Sequence, residues 1–171
     1  MRHPNVRRRG NKDSAKKMLE LNRELAAKIG AHGAQDYPHE CCGALLGTDG
    51  AAGRAVRDLV PLSNRRDDSP RNRFAITAED VRAAERAAAE RGLDLIGWYH
   101  SHPDHPARPS EFDREHAWPW YSYIIVAVAA AVPGEMTSWR LTDDRARFEP
   151  EPLSAAGAGA AQHTSSAGGK L

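Results

Sequence analysis

The run Tyr121-Ser-Tyr-Ile-Ile-Val-Ala-Val128 constrains this chain more than any other segment. It is rich in β-branched and aromatic residues and almost continuously apolar, the pattern of a strand buried on both faces. Such a strand needs helices over the sheet, and the chain alternates the two element types. Met18, Leu21, Leu25 and Ile29 recur at helical spacing among Glu20, Arg23 and Lys28. They predict a first helix capped by Asp13 or Ser14 and ended by Gly30 or Gly33. Thr77 and Asp80 form a capping-box pattern before Val81, Ala84 and Ala88, a second helix that Gly92 stops. Cys42 to Gly47 reads as a buried strand closed by a turn at Thr48-Asp-Gly50, with Ala55 to Leu62 as its antiparallel neighbour. Further strands are expected at Phe74–Ile76, Leu95–Tyr99, Met136–Leu141 and Phe148–Leu153, and a helical start over residues 110–117. The expected fold class is therefore α/β: a single domain with a mixed β-sheet flanked by helices.

A length of 171 residues suits one domain with a real core. The net charge of +1 hides an asymmetry. Residues 1–17 carry seven Lys/Arg against Asp13, a charge of +6 that leaves −5 for the rest. That arm reads as a solvated, disordered extension, or as sequence upstream of a start at Met18. No basic patch interleaved with aromatics follows it, which ranks nucleic-acid binding low. The Ala/Gly/Ser-rich segment 154–171 has no periodicity and is expected to be disordered, which leaves 18–153 as the folded domain. The only cysteines, Cys41 and Cys42, are adjacent and make no disulfide framework. No apolar run follows the basic start as in a secretory signal, and Tyr121 to Val132 is too short to span a bilayer. The default address is cytoplasmic, with no membrane contact.

The chemistry concentrates after the Leu95–Tyr99 strand. On a strand, side chains alternate faces, so His100 and His102 project to one side and Ser101 to the other. Two imidazoles on one face suit a divalent metal, although a His-x-His pair alone is more often just polar residues near a loop. Ser110 and Asp113 lie three apart at a helix start, which is a good cap in its own right and also a way to bring a carboxylate to the pair. A His₂Asp set leaves one metal position open, as catalytic zinc requires. Zinc polarises a carbonyl and acidifies water, a neighbouring carboxylate must take the proton, and a hydroxyl such as Ser110 could steady an oxyanion. Composition cannot choose that carboxylate among 23 acids.

Three separated pieces, Tyr37-Pro-His-Glu-Cys-Cys-Gly-Ala-Leu-Leu-Gly47, His100-Ser-His102 and Ser110-Glu-Phe-Asp113, together resemble the JAMM (MPN-plus, JAB-domain) metalloprotease family in its compact, stand-alone prokaryotic form. The family pattern is an upstream Glu, His-Ser/Thr-His, a seven-residue spacer and Ser-x-x-Asp. All of these stand here at their spacing, across roughly residues 18–153. The resemblance implies a cytidine-deaminase-like architecture and one Zn²⁺ per chain held by His100, His102 and Asp113. It also implies Glu40 as general base and Ser110 as oxyanion donor. Scaffold relatives lose one or more of these five residues, so their retention favours an enzyme over a non-catalytic zinc-stabilised interaction protein.

The resemblance further implies a substrate: the peptide or isopeptide bond after the C-terminal Gly-Gly of a ubiquitin-like or sulfur-carrier protein. It leaves deconjugation from lysine and release of cysteine from a carrier both open, and a homodimer open as well. His32, His39, His105 and His116 read as surface or loop histidines rather than ligands, and Cys42 as a packed thiol with Cys41 on the neighbouring face. Trp118 and Trp120 are candidates for either a substrate groove or the core. Asn64 to Asn72 is a polar loop, more simply a solvated connection than a site for a substrate tail.

Overall fold

A computed structural model describes residues 18–51, 53–62 and 76–156 of the chain. Eight strands and three helices follow the order β1 (Leu19–Asn22), α1 (Arg23–Asp36), β2 (Cys42–Gly50), β3 (Gly53–Leu62), α2 (Ala78–Glu90), β4 (Asp94–Pro103), α3 (Glu111–His116), β5 (Ser122–Ala129), β6 (Val132–Leu141), β7 (Phe148–Glu151) and β8 (Leu153–Ala156). They form one eight-stranded sheet in the order β7-β6-β5-β4-β2-β3-β1-β8. The β4–β5, β1–β3 and β1–β8 pairs are parallel and the others antiparallel, so the sheet is mixed as expected.

β5 sits mid-sheet, and its residues from Ser122 to Val126 are buried on both faces. On one face α1 packs over Tyr99, Ile124, Val126 and Val128 through Leu25 and Ile29. On the other, Ala84 and Ala88 of α2 meet Ala44, Leu46 and Trp98. The capping box of α2 is formed as read, with Thr77 and Asp80 each bonding the other's backbone, and Gly92 turns out of the helix at φ +64.

Several expectations are corrected. The first helix begins at Arg23, not after Asp13 or Ser14, and Asn22 caps it by accepting from the Leu25 amide at 2.8 Å. Leu19 and Leu21 belong instead to β1, where they alternate inward between β3 and β8. Gly30 and Gly33 lie inside α1 rather than at its end. A Cβ on Gly33 would come within 2.9 Å of Val128 Cγ2 and 3.1 Å of Ser101 Cβ, so glycine lets the helix lie against the sheet there. Second, Phe148–Leu153 is not one strand. Pro152 divides it, β7 lies at one edge of the sheet and β8 at the other, and β8 extends past the expected boundary at 153 to Ala156. The hairpin turn after Cys42–Gly47 also comes later than read, because β2 continues to Gly50. The expected strand at Phe74–Ile76, apart from Ile76, the loop Asn64–Asn72, the arm 1–17 and the tail beyond 156 lie outside the described residues. No helix among the described residues is long and apolar enough to cross a membrane.

Candidate metal centre and active site

β4 delivers both histidines. Cys42 of β2 pairs with His100, and the ladder continues beyond β2. There, Ser101 N–H donates to the Cys41 carbonyl at 3.1 Å, and Cys41 N–H donates to Ser101 Oγ at 2.9 Å. Continuing that antiparallel register sets Glu40 opposite His102, on the face that carries both imidazoles. Glu40 is buried at 5 % exposure, and its charge acts on His102. This register is what composition could not supply.

The third group arrives on α3. Ser110 is its N-cap: its Oγ accepts from the Asp113 amide at 3.1 Å, and the Asp113 carboxylate returns bonds to Ser110 N–H at 2.6 Å and Ser110 Oγ at 2.7 Å. Both readings of Ser-x-x-Asp therefore hold at once, because the capping box also aims the carboxylate at the histidines. Asp113 Oδ1 lies 3.4 Å from His100 Nε2, and Oδ2 lies 3.5 Å from His102 Nε2. The two Nε2 atoms are 3.0 Å apart. One donor atom from each residue falls within a 4.8 Å cluster.

The donor set fits a divalent cation. His102 Nδ1 is 2.9 Å from the Pro106 carbonyl, which can only accept, so Nδ1 carries the proton and Nε2 turns its lone pair into the cluster. Burial disfavours the charged form of His100 and lowers its pKa despite Asp113 beside it. Burial opposes charge on His102 as well. There, Asp113, the Pro106 carbonyl and Glu40 outweigh it, and the pKa rises. Asp113 resists burial in the same way: the two histidines beside it and the hydrogen bond from the Ser110 amide hold its carboxyl well below the usual carboxylate range. A neutral imidazole and an ionised carboxylate are the ligand forms that a metal takes.

Two hollows flank the cluster. Glu40, His102, His105, Arg108 and Ser110 line one, which gathers the polar groups. The other, about 280 Å³, touches His100 and Asp113 and is walled by Phe112, Trp118, Ile125 and Phe148. Trp118 thus faces a groove, whereas Trp120 stands 57 % exposed outside it. His105 and His116 are exposed and outside the donor cluster, although each borders a hollow, and His116 stacks on Phe112 at 4.0 Å. His32 bonds the Tyr99 hydroxyl at 2.9 Å, and His39 is exposed and outside the cluster. Burial pushes the Cys41 thiol up to about 11 and the Cys42 thiol to about 12, so both are packed, unreactive groups. Sequence reasoning missed Phe112, Ile125 and Phe148. The only sequence signal was the adjacency of Phe112 to Asp113, since Phe148 comes from a distant edge strand.

The family described as prokaryotic homologs of the JAB domain matches residues 22–142. A desampylase of Haloferax volcanii is 38% identical over 122 residues, 71% of this chain and 81% of that protein. A CysO-cysteine peptidase of Mycobacterium tuberculosis is 29% identical over 134 residues, 78% of this chain and 89% of that protein. The solution structure of a protein from Salinibacter ruber superposes with a TM-score of 0.65 at 44% identity, covering 81% of this chain and 91% of that one. Fold, donor cluster and sequence agree, and the chain belongs to the prokaryotic JAB-domain family.

Proposed function

We propose that the chain is a zinc-dependent peptidase that hydrolyses the peptide or isopeptide bond after the C-terminal Gly-Gly of a ubiquitin-like or sulfur-carrier protein. The convergence of His100 Nε2, His102 Nε2 and the Asp113 carboxylate beside the buried Glu40 carries this reading. Relatives named a desampylase and a CysO-cysteine peptidase support it.

His100, His102 and Asp113 would hold the zinc, which would supply Lewis-acid chemistry at the scissile carbonyl and lower the pKa of water. Glu40 binds no metal: it takes the proton from the attacking water, keeps it on its carboxylate, and delivers it to the leaving amine. Ser110 donates to the developing oxyanion, and a rotation about its Cβ–Oγ bond redirects the hydroxyl hydrogen that now bonds Asp113. The Pro106 carbonyl fixes the His102 tautomer throughout. Glycines at the two positions before the bond let the substrate tail lie close against the site.

The test is Glu40→Gln, which keeps size and hydrogen bonding but cannot accept a proton. Zinc content near one per chain and the melting temperature are expected to stay, while hydrolysis of a diglycine-linked conjugate falls roughly 10²–10⁴-fold. His102→Ala is expected to lose most of the zinc. Wild-type rates in Glu40→Gln, or full zinc in His102→Ala, reject the assignment.

A further inference from the structure

Glu40 and His102 sit on segments far apart in sequence, and each has a tie on either side of it. On one side, Cys41, the residue after Glu40, exchanges hydrogen bonds with Ser101, the residue before His102. On the other side, the Tyr37 hydroxyl donates to Asp104 Oδ2 at 2.8 Å. Tyr37 lies three residues before Glu40, and Asp104 lies two after His102. The two ties therefore close a ring of chain that contains both groups. Tyr37 and Asp104 line neither hollow and lie outside the donor cluster, so they act on the chemistry only through their neighbours.

Resting on the reading of Glu40 as the base, we propose that Tyr37 and Asp104 form a positioning latch that sets the Glu40 carboxylate against His102. Both ends of the latch are anchored. Tyr37 is the C-cap of α1: its N–H donates to the Gly33 carbonyl at 3.1 Å, and its half-buried ring packs on the α1-side core. Asp104 N–H donates to the Val128 carbonyl at 2.8 Å, which holds the residue beside the end of β5, and its Oδ1 accepts weakly from Ala130 N–H at 3.4 Å. Asp104 has φ +56, a left-handed backbone that Asp and Asn adopt at less cost than other residues with a side chain. The latch thus joins the end of α1 to the end of β4 and to the β5–β6 turn. Asp104 is exposed, so water can replace either partner, and the bond adds little to folding stability. What its loss removes is the fixed spacing between the segments that carry base and ligand. A general base acts only within hydrogen-bond reach of the proton it takes, so a shift of about 1 Å in Glu40 costs rate without costing the fold.

The experiment measures steady-state hydrolysis of one diglycine-linked conjugate by the zinc-loaded protein, together with amide hydrogen exchange. Tyr37→Phe removes only the hydroxyl, and Asp104→Gly removes the carboxylate while keeping the left-handed backbone free of strain. Each is expected to lower kcat roughly tenfold, with KM, zinc content and melting temperature nearly unchanged. The double variant is expected to lose no more than either single one, because both remove the same bond. Asp104→Asn, which keeps the backbone and an acceptor oxygen, is expected to recover most of kcat. In both single variants the His39 and Cys41 amides, which flank Glu40, are expected to exchange faster while those of α2 hold their rates. Wild-type kcat in both single variants, losses that multiply in the double, no recovery in Asp104→Asn, or unchanged exchange around Glu40 each overturn the latch. Faster exchange in α2 as well marks a general loosening and overturns it too. If the wild type cleaves nothing, yet exchange quickens only around Glu40, the latch stands and the hydrolytic reading falls.

Discussion

Ser101 stands between the two histidines yet points away from them, wholly buried under α1. Its hydroxyl takes the Cys41 amide, the group immediately after Glu40, and thereby ties the proposed base to the strand that carries the histidines. We read it as a positioning residue. Ser101→Ala leaves the Cys41 N–H buried without its acceptor, at a stability cost of about 1–3 kcal/mol. Well below the melting temperature, zinc content is expected to hold while kcat on a diglycine conjugate falls roughly tenfold or more. Ser101→Thr, which retains the acceptor, is expected to restore kcat. A variant that is merely less stable, with kcat intact, would assign Ser101 to packing alone. The donors themselves were legible from the alternation of a strand and the spacing of a cap. Glu40 was not, because its place opposite His102 depends on the β2–β4 register, and only family resemblance singled it out of 23 acids.

α3 is six residues long and buries none of them, so packing alone does not hold it. Its capping box does, and the same carboxylate serves the donor cluster. Ser110 therefore has two separable duties. Ser110→Ala removes a cap worth about 0.5–2 kcal/mol and one bond to Asp113, so zinc affinity is expected to fall on the order of 10-fold. At saturating zinc the remaining loss in kcat, expected at roughly 10²–10³-fold, reports the oxyanion donor. Full recovery at saturating zinc would leave Ser110 as a cap only. The box at Thr77 and Asp80 was readable because both partners are local. β1 was not, since Met18, Leu21, Leu25 and Ile29 fit one helical stripe while Leu19 and Leu21 alternate as in a strand. The tie is broken by pairing with β3 and β8, which are distant in sequence. β8 itself, a Leu-Ser-Ala-Ala segment, has no strand signal beyond the free edge of β1 it completes.

At the scale of the whole molecule, the two edge strands are neighbours in the chain with only Pro152 between them. Glu151 pairs with Ser138 at one edge while Leu153 pairs with Leu19 at the other, so the sheet must curl until its edges meet at that end. The seam carries a buried polar knot. Glu151 accepts from Ser138 at 2.7 Å and from Ser122 at 3.2 Å, and Arg54 donates to Ser122 at 3.1 Å and to the Trp120 carbonyl at 2.7 Å. Leu19 N–H also donates to the Pro152 carbonyl at 2.8 Å. This geometry moves the C-terminal limit of the folded unit. A chain trimmed to 18–156 is expected to melt within a few degrees of the full sequence and to keep its hydrolytic rate. One trimmed to 18–152 loses β8, strips a parallel neighbour from β1 and uncovers the wholly buried Leu19 and the nearly buried Leu21. Losing Leu153, a half-buried member of the α1-side core, adds to that exposure. The expected drop is on the order of 10 °C by thermal scan, with zinc content and rate at low temperature preserved, because the donor cluster sits on β4 and α3 away from this edge. Equal melting of the two trimmed chains would show that β8 contributes nothing to the seam. A large loss already at 18–156 would show that residues outside that range dock on the core.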